Sequence, residues 1–153
     1  MIYESQRDPR WALVKIGDSQ LTLGKFGCTT TCLSMLSDYF GCFKSPDMIA
    51  LHHEWYTPDG LIVWGALKFP NMQFVKRTSA YVDQEIQESI NDPKRAVMLN
   101  VNGGTHWVVA IRKALLSNDY VCVDPWTGKR CLAKRDYHNI VGSAHFEKIP
   151  LGY

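Results

Sequence analysis

Three side chains that can cooperate in nucleophilic catalysis occur in order along the chain: Cys28, His106 and Asp124. In such a set a cysteine thiolate attacks a carbonyl carbon, an imidazole takes up and returns a proton, and a carboxylate orients the imidazole. The set is assembled in space, so the elements that carry the three residues decide whether it can work. Their types and order favour an enzyme with a thiol nucleophile.

Cys28 directly precedes a segment with helical periodicity. The large apolar residues Leu33, Leu36 and Phe40 recur at roughly the 3.6-residue period of a helix, and Gly41 marks its end. The spacing predicts a helix over residues 29–40 with Cys28 at its N-terminus. Because the free N–H groups and the positive end of the helix dipole favour an anion there, we expect the thiolate form of Cys28 to be stabilised.

The second half of the chain has the pattern of an antiparallel meander. Short apolar runs cover residues 96–101, 107–111 and 120–124, and turn-forming residues lie between them. The first half is predicted to be mostly helical, so the chain is assigned to the α+β class, as a single domain over residues 1–153.

His106 immediately precedes the second apolar run, and Asp124 closes the third. Neighbouring antiparallel strands can therefore bring the carboxylate beside the imidazole ring. Asn100 and Asn102 are alternative residues for orienting His106.

Four further elements are predicted in the first half. A second helix starts with Ser45 as its N-cap and Pro46 in its first position, and a short helix covers residues 61–69. An amphipathic helix covers residues 82–90, and a short hairpin turns at residues 17–19.

The remaining four histidines carry weaker signals. His52 and His53 are adjacent and would lie on opposite faces of a predicted helix, whereas His138 and His145 lie in the C-terminal loop and strand region. All four are interpreted as structural or solvated residues.

Composition excludes several functional classes. The 17 basic and 15 acidic residues are scattered, so nothing indicates a nucleic acid partner. The five cysteines are odd in number and form no C-x-x-C pair, which argues against a disulfide framework and a zinc site, and no cofactor or metal is expected. The polar N-terminus lacks the apolar segment of a signal peptide, and no apolar run approaches the ~20 residues of a membrane span. We expect synthesis in the cytoplasm.

Taken together, the ordered motifs resemble a known family. They are the run Gln6-x-Asp8-x-x-Trp11, the Gly27-Cys28 run, His106-Trp107-Val108-Val109 and Asp124-Pro125. This set looks like the papain-like cysteine peptidases of the bacteriocin-processing, double-glycine leader type, in particular their stand-alone bacterial and phage branch. The resemblance implies a papain-like α+β fold, with N-terminal helices packed on an antiparallel sheet. It also implies that Cys28 is the nucleophile, His106 the general base and Asp124 the orienting residue.

The resemblance further implies a glutamine upstream of the cysteine that donates a hydrogen bond to the oxyanion, beside the cysteine backbone N–H. Gln6 is preferred for this role because of its motif, although residues 7–27 intervene where the family normally has a short spacing. Gln20 is the alternative.

Two hypotheses about function follow, and a third reading, amide or ester transfer by the same thiol, differs from the first only in the nucleophile that resolves the acyl-enzyme. The first is a cysteine peptidase that cleaves an amide bond in a peptide, a protein or peptidoglycan through an acyl-thioenzyme. The second is a catalytically silent relative that uses the same cleft as a binding surface, for example as a phage virion or accessory component assembled into a larger particle. Exposed aromatic residues such as Trp55, Tyr56 and Trp126 are candidates for lining a substrate groove.

Overall fold

A six-stranded antiparallel sheet forms the centre of the computed structural model, which describes residues 1–150. The spatial order of the strands is β1-β6-β2-β3-β4-β5. In chain order they are β1 (Met72–Thr78), β2 (Arg95–Val101), β3 (His106–Lys113), β4 (Tyr120–Asp124), β5 (Lys129–Leu132) and β6 (Ile140–Lys148). The helices are α1 (Leu23–Phe26), α2 (Cys28–Tyr39), α3 (Pro46–Ala50), α4 (Asp83–Asn91) and α5 (Ala133–Tyr137).

The predicted α+β class and the meander are confirmed. Strands β2, β3 and β4 are consecutive and antiparallel, with Leu99 opposite Val108 and Val109 opposite Val123. The apolar runs form strands because their branched side chains are buried on a pleated surface, and turn residues separate them. Strand β6 inserts beside β2 and so joins the early strand β1 to the meander.

The sheet is covered on both faces because successive side chains of a strand point in opposite directions. On one face Met98 and Val109 belong to a core cluster with Leu33 and Leu36 of α2. On the other face Val108 packs in a second cluster to which α4 and α5 contribute. The sheet therefore separates two apolar layers, and α2 lies against β3.

Helix α2 begins and ends within one residue of the predicted limits. Leu33 and Leu36 are buried, and Gly41 has a φ of +88°, a left-handed conformation that suits the end of a helix. At its start, a side chain on Gly27 would place its Cβ only 2.5 Å from the carbonyl oxygen of Leu23. The junction between α1 and α2 is thus too tight for any residue other than glycine.

The helix starting at Pro46 and the helix over residues 82–90 are both found, as α3 and α4. Helix α3 ends at Ala50, so the prediction that His52 and His53 lie on a helix was wrong, and His53 begins a 3-10 turn instead.

Two other predicted elements are shorter than expected. The hairpin around residues 17–19 is present only in minimal form, without regular strands: Lys15 and Thr22 form one antiparallel bridge, and the backbone bonds from Ile16 to Leu21 and from Leu23 to Val14 flank it. The helix over residues 61–69 is only a 3-10 turn, Trp64–Ala66, flanked by extended residues.

Strand β1 interrupts the helical first half and was not anticipated. It is an edge strand in which Met72 is the one buried residue, so its polar sequence lacks the alternation of a half-buried strand. No helix in residues 1–150 is long and apolar enough to cross a membrane.

Candidate active site

Cys28 is the first residue of α2, and its half-buried side chain faces a cleft of about 600 Å³. Gly27 at the N-cap has no side chain that could satisfy the first N–H groups of the helix. The thiol therefore lies beside unpaired backbone donors and the positive end of the dipole, as predicted. Its Sγ atom is 4.0 Å from Oγ1 of Thr29.

His106 and Asp124 are brought together at the same end of the sheet. Nε2 of His106 lies 2.9 Å from Oδ1 of Asp124, and the two side chains are only 12% and 6% exposed. The register explains the contact: Val109 pairs with Val123, which places Asp124 one pair further along, on the same face as His106 and diagonal to it. With Nε2–H donating to the carboxylate, Nδ1 is the ring nitrogen that this contact does not use.

The carboxylate of Asp124 is itself held by two further donors. The backbone N–H of Trp126 donates to Oδ1 at 2.9 Å, and the hydroxyl of Tyr137 donates to Oδ2. The Tyr137 ring also lies against the imidazole, with the ring centres 4.7 Å apart. Sequence reasoning missed Tyr137, because its position at the end of α5 gives no local signal of contact with β4.

Cys28 and His106 each shift the pKa of the other towards its charged form. Burial acts to raise the pKa of the Cys28 thiol, but the hydrogen bonding and charge of His106, with a backbone contact from Trp107, outweigh it and lower that pKa. Burial likewise acts to lower the pKa of His106, but Asp124 and Cys28 raise it to about 9. Asp124 stays ionised, because the bonds that it accepts outweigh its burial and lower its pKa.

In three other cysteines the pKa of the thiol is raised and not lowered. Cys32, one turn further along α2, is fully buried, and burial raises its pKa well above the usual value. Burial also raises the pKa of Cys122 and, to about 12, that of Cys131. All five cysteines are free thiols.

Gln6 lines the same cleft, whereas Gln20 is exposed on a surface turn and accepts a hydrogen bond from Lys15. Gln6 is 1% exposed, its backbone N–H donates to the carbonyl of Pro125 at 2.7 Å, and its side-chain Nε2 donates to the carbonyl of Gly24 at 3.3 Å. The side-chain amide thus connects the N-terminal segment to α1, and the backbone amide connects it to the residue after Asp124. Residues 7–27 fold so that Gln6 and Cys28 line the same cleft although they are far apart in the sequence.

Neither asparagine considered as an alternative orienting residue contacts the imidazole. The amide of Asn100, oriented to make both bonds, donates to the backbone carbonyls of Gly104 at 3.2 Å and His106 at 2.9 Å. Asn102 donates to Thr105 at 2.9 Å within the preceding turn. Asn100 therefore fixes the backbone that carries His106, a role that the sequence did not reveal.

The remaining histidines lie away from the cleft. His52 and His53 interact with exposed carboxylates, and His138 follows α5. His145 is buried, with Ser89 and Ser143 each 2.8 Å from one of its ring nitrogens.

Both apolar and polar residues line the cleft. Trp126, which is 40% exposed, lines the cleft, whereas Trp55 and Tyr56 are buried in the core and do not. The apolar lining residues include Ile16, Leu21, Phe26, Leu61 and Ile62, and Asn102, Gly104 and Thr105 also line the cleft. Within residues 1–150 no cluster of histidine, cysteine, aspartate or glutamate is arranged to hold a metal ion.

Comparison of the chain with models of protein families, with curated proteins and with solved structures gave no match. The geometry and electrostatics of the cleft are therefore the basis on which a function can be assigned.

Proposed function

We propose that the protein is a cysteine peptidase-like hydrolase that cleaves an amide bond in a peptide or in a cell-wall crosslink. The observation that carries the proposal is the position of Cys28 at a helix N-terminus in an open cleft, beside an imidazole whose far nitrogen is held by a buried carboxylate. Buried structural thiols lack these features, and the raised pKa values of three other cysteines illustrate the contrast.

The first half of the reaction forms an acyl-enzyme. The Cys28 thiolate attacks the carbonyl carbon, and the negative charge moves to the carbonyl oxygen. The backbone N–H of Cys28 and the Nε2–H of Gln6 that does not bond to Gly24 are the candidate donors to this oxyanion. The C–N bond breaks, the leaving nitrogen takes the proton from the imidazolium of His106, and a thioester remains.

The second half restores the enzyme. Neutral His106 takes a proton from a water molecule as the water oxygen attacks the thioester carbon, and the C–S bond breaks to release the carboxylic acid and the thiolate. Asp124 stabilises the imidazolium in both halves through the 2.9 Å contact with Nε2. We assign the chain to a papain-like fold on the same grounds, since a helix that begins with the nucleophile packs on an antiparallel sheet that carries the histidine.

The test is a pair of variants at the reacting atoms. Cys28→Ala should abolish cleavage of peptide or muropeptide substrates and leave the melting temperature nearly unchanged, since a half-buried thiol leaves only a small void. His106→Ala should lose activity to within about a factor of ten of that variant, because members of a catalytic unit do not fail additively. Cys42→Ala is the matched control, since it removes another half-buried free thiol outside the cleft and should retain activity.

A different pair of results would refute the peptidase proposal. If the wild type and Cys28→Ala are equally inert on all substrates, and Cys28 shows no selective reaction with a thiol electrophile at mildly acidic pH, the peptidase proposal fails. A binding role for the same cleft would then account for its shape.

A further inference from the structure

Lys25 is the one charged residue, apart from His106, among the residues that line the cleft. The other lining residues are apolar or neutral, and no aspartate or glutamate is among them. In the described part of the chain, residues 1–150, the side chain of Lys25 is exposed and makes neither an ion pair nor a hydrogen bond. Its ammonium group is therefore not neutralised by the protein.

The backbone of Lys25 lies close to that of the nucleophile. It lies in the last turn of α1, and three peptide units, at most about 11 Å, separate its Cα atom from that of Cys28. The tight contact of Gly27 with Leu23 leaves the junction between the two helices little freedom. Because Lys25 and Cys28 line the same cleft, a substrate that binds at the thiol also meets the lysine side chain.

We propose that Lys25 is a specificity-determining residue that makes the site favour substrates with a carboxylate close to the scissile amide. The inference rests on the proposed function and extends it to the substrate class. Phe26 and Leu61 also line the cleft, so the segment that binds there is otherwise apolar or neutral. An acidic side chain, or a free carboxylate in a crosslinked peptide, supplies the charge that pairs with the ammonium group.

The test uses two small electrophiles that differ in charge and have the same leaving group. Iodoacetate and iodoacetamide both alkylate Cys28: the thiolate sulfur forms a bond with the methylene carbon, and the carbon–iodine bond breaks to release iodide. Mass spectrometry of the peptide that contains Cys28 gives the two rates. Their ratio cancels differences in the intrinsic reactivity of the thiol between variants.

We expect the ratio of the iodoacetate rate to the iodoacetamide rate to fall about threefold in Lys25→Gln at low salt, and further in Lys25→Glu. The difference between the wild type and Lys25→Gln should nearly vanish at about 1 M salt, where the screening length is about 3 Å. Lys15→Gln is the control, because it removes another exposed lysine of the same N-terminal segment that does not line the cleft, and its ratio should match the wild type.

Two outcomes would overturn the inference and are distinguishable. If Cys28 is alkylated selectively but the ratio is unchanged in Lys25→Gln, the charge has no role in selecting substrates, although the proposed function stands. If Cys28 reacts no faster than Cys42 with either reagent, the proposed function fails, and this inference fails with it.

Discussion

Replacing Asp124 by asparagine should raise the pH at which the Cys28 thiolate forms. Asparagine keeps an acceptor for Nε2–H of His106, so the substitution removes the charge and preserves the shape. The carboxylate stabilises the imidazolium, and the imidazolium in turn lowers the pKa of Cys28. Loss of the negative charge lowers the pKa of His106, the thiol loses its cationic neighbour over part of the pH range, and the pKa of Cys28 rises.

The size of the effect follows from the structure. The rise of the His106 pKa from 6.5 to about 9 corresponds to about 3 kcal/mol in favour of the imidazolium, because one pKa unit is about 1.4 kcal/mol. Asp124 is the largest contributor that raises this pKa. We therefore expect the inflection of thiolate formation to move upward by at least about one pH unit in Asp124→Asn.

The assay is the rate of alkylation of Cys28 by iodoacetamide between about pH 4 and pH 10, followed by mass spectrometry, since only the thiolate reacts. Asp136→Asn is the control, because that carboxylate lies in α5 and bonds to Arg135 and the backbone of Leu132 without contacting His106. An Asp124→Asn profile that superimposes on the wild-type profile would refute the ion-pair reasoning.

Two further predictions concern Gln6 and Glu4. Gln6→Ala should lower the turnover number about 10²–10³-fold, as expected for loss of an oxyanion donor, with little change in the rate of alkylation by iodoacetamide. Gln20→Ala should match the wild type. Equal losses of turnover in both variants would show that Gln6 has no special role in the site. Glu4 is 5% exposed, and burial, partly offset by the hydrogen bond from Ser34, raises its pKa to about 7. A raised carboxyl pKa contributes stability that is fully present below the unfolded pKa of 4.5 and is lost as pH rises through about 7. The free energy of unfolding of Glu4→Gln, measured with urea, should therefore rise relative to that of the wild type by up to about 3 kcal/mol between pH 4 and pH 8. The exposed Glu88→Gln should show no such trend, and parallel pH dependence of Glu4→Gln and the wild type would contradict this account.

The sequence alone was sufficient to predict the elements whose buried side chains recur with a regular period. The apolar spacing of Leu33 and Leu36 defined α2, and the three apolar runs defined the meander, because burial of one face or of both faces leaves a periodic trace. The starting position of Cys28 on α2 followed directly. Strand β1 was missed because an edge strand with one buried residue leaves no such trace.

Contacts between residues distant in the sequence were decided only by the tertiary structure. The β3–β4 register brings Asp124, and neither Asn100 nor Asn102, to the imidazole of His106. The hydroxyl of Tyr137 reaches Asp124 only because α5 packs on the same face of the sheet.

The choice between Gln6 and Gln20 also required the fold. The sequence motif favours Gln6 and the short spacing to Cys28 favours Gln20; the chain between residues 7 and 27 folds so that Gln6 lines the cleft and Gln20 remains exposed. Local periodicity determined helix α2, which carries the thiol, and the three strands of the meander. Side-chain convergence depends on strand register and loop path, which are set by packing of the whole chain and have no local signal.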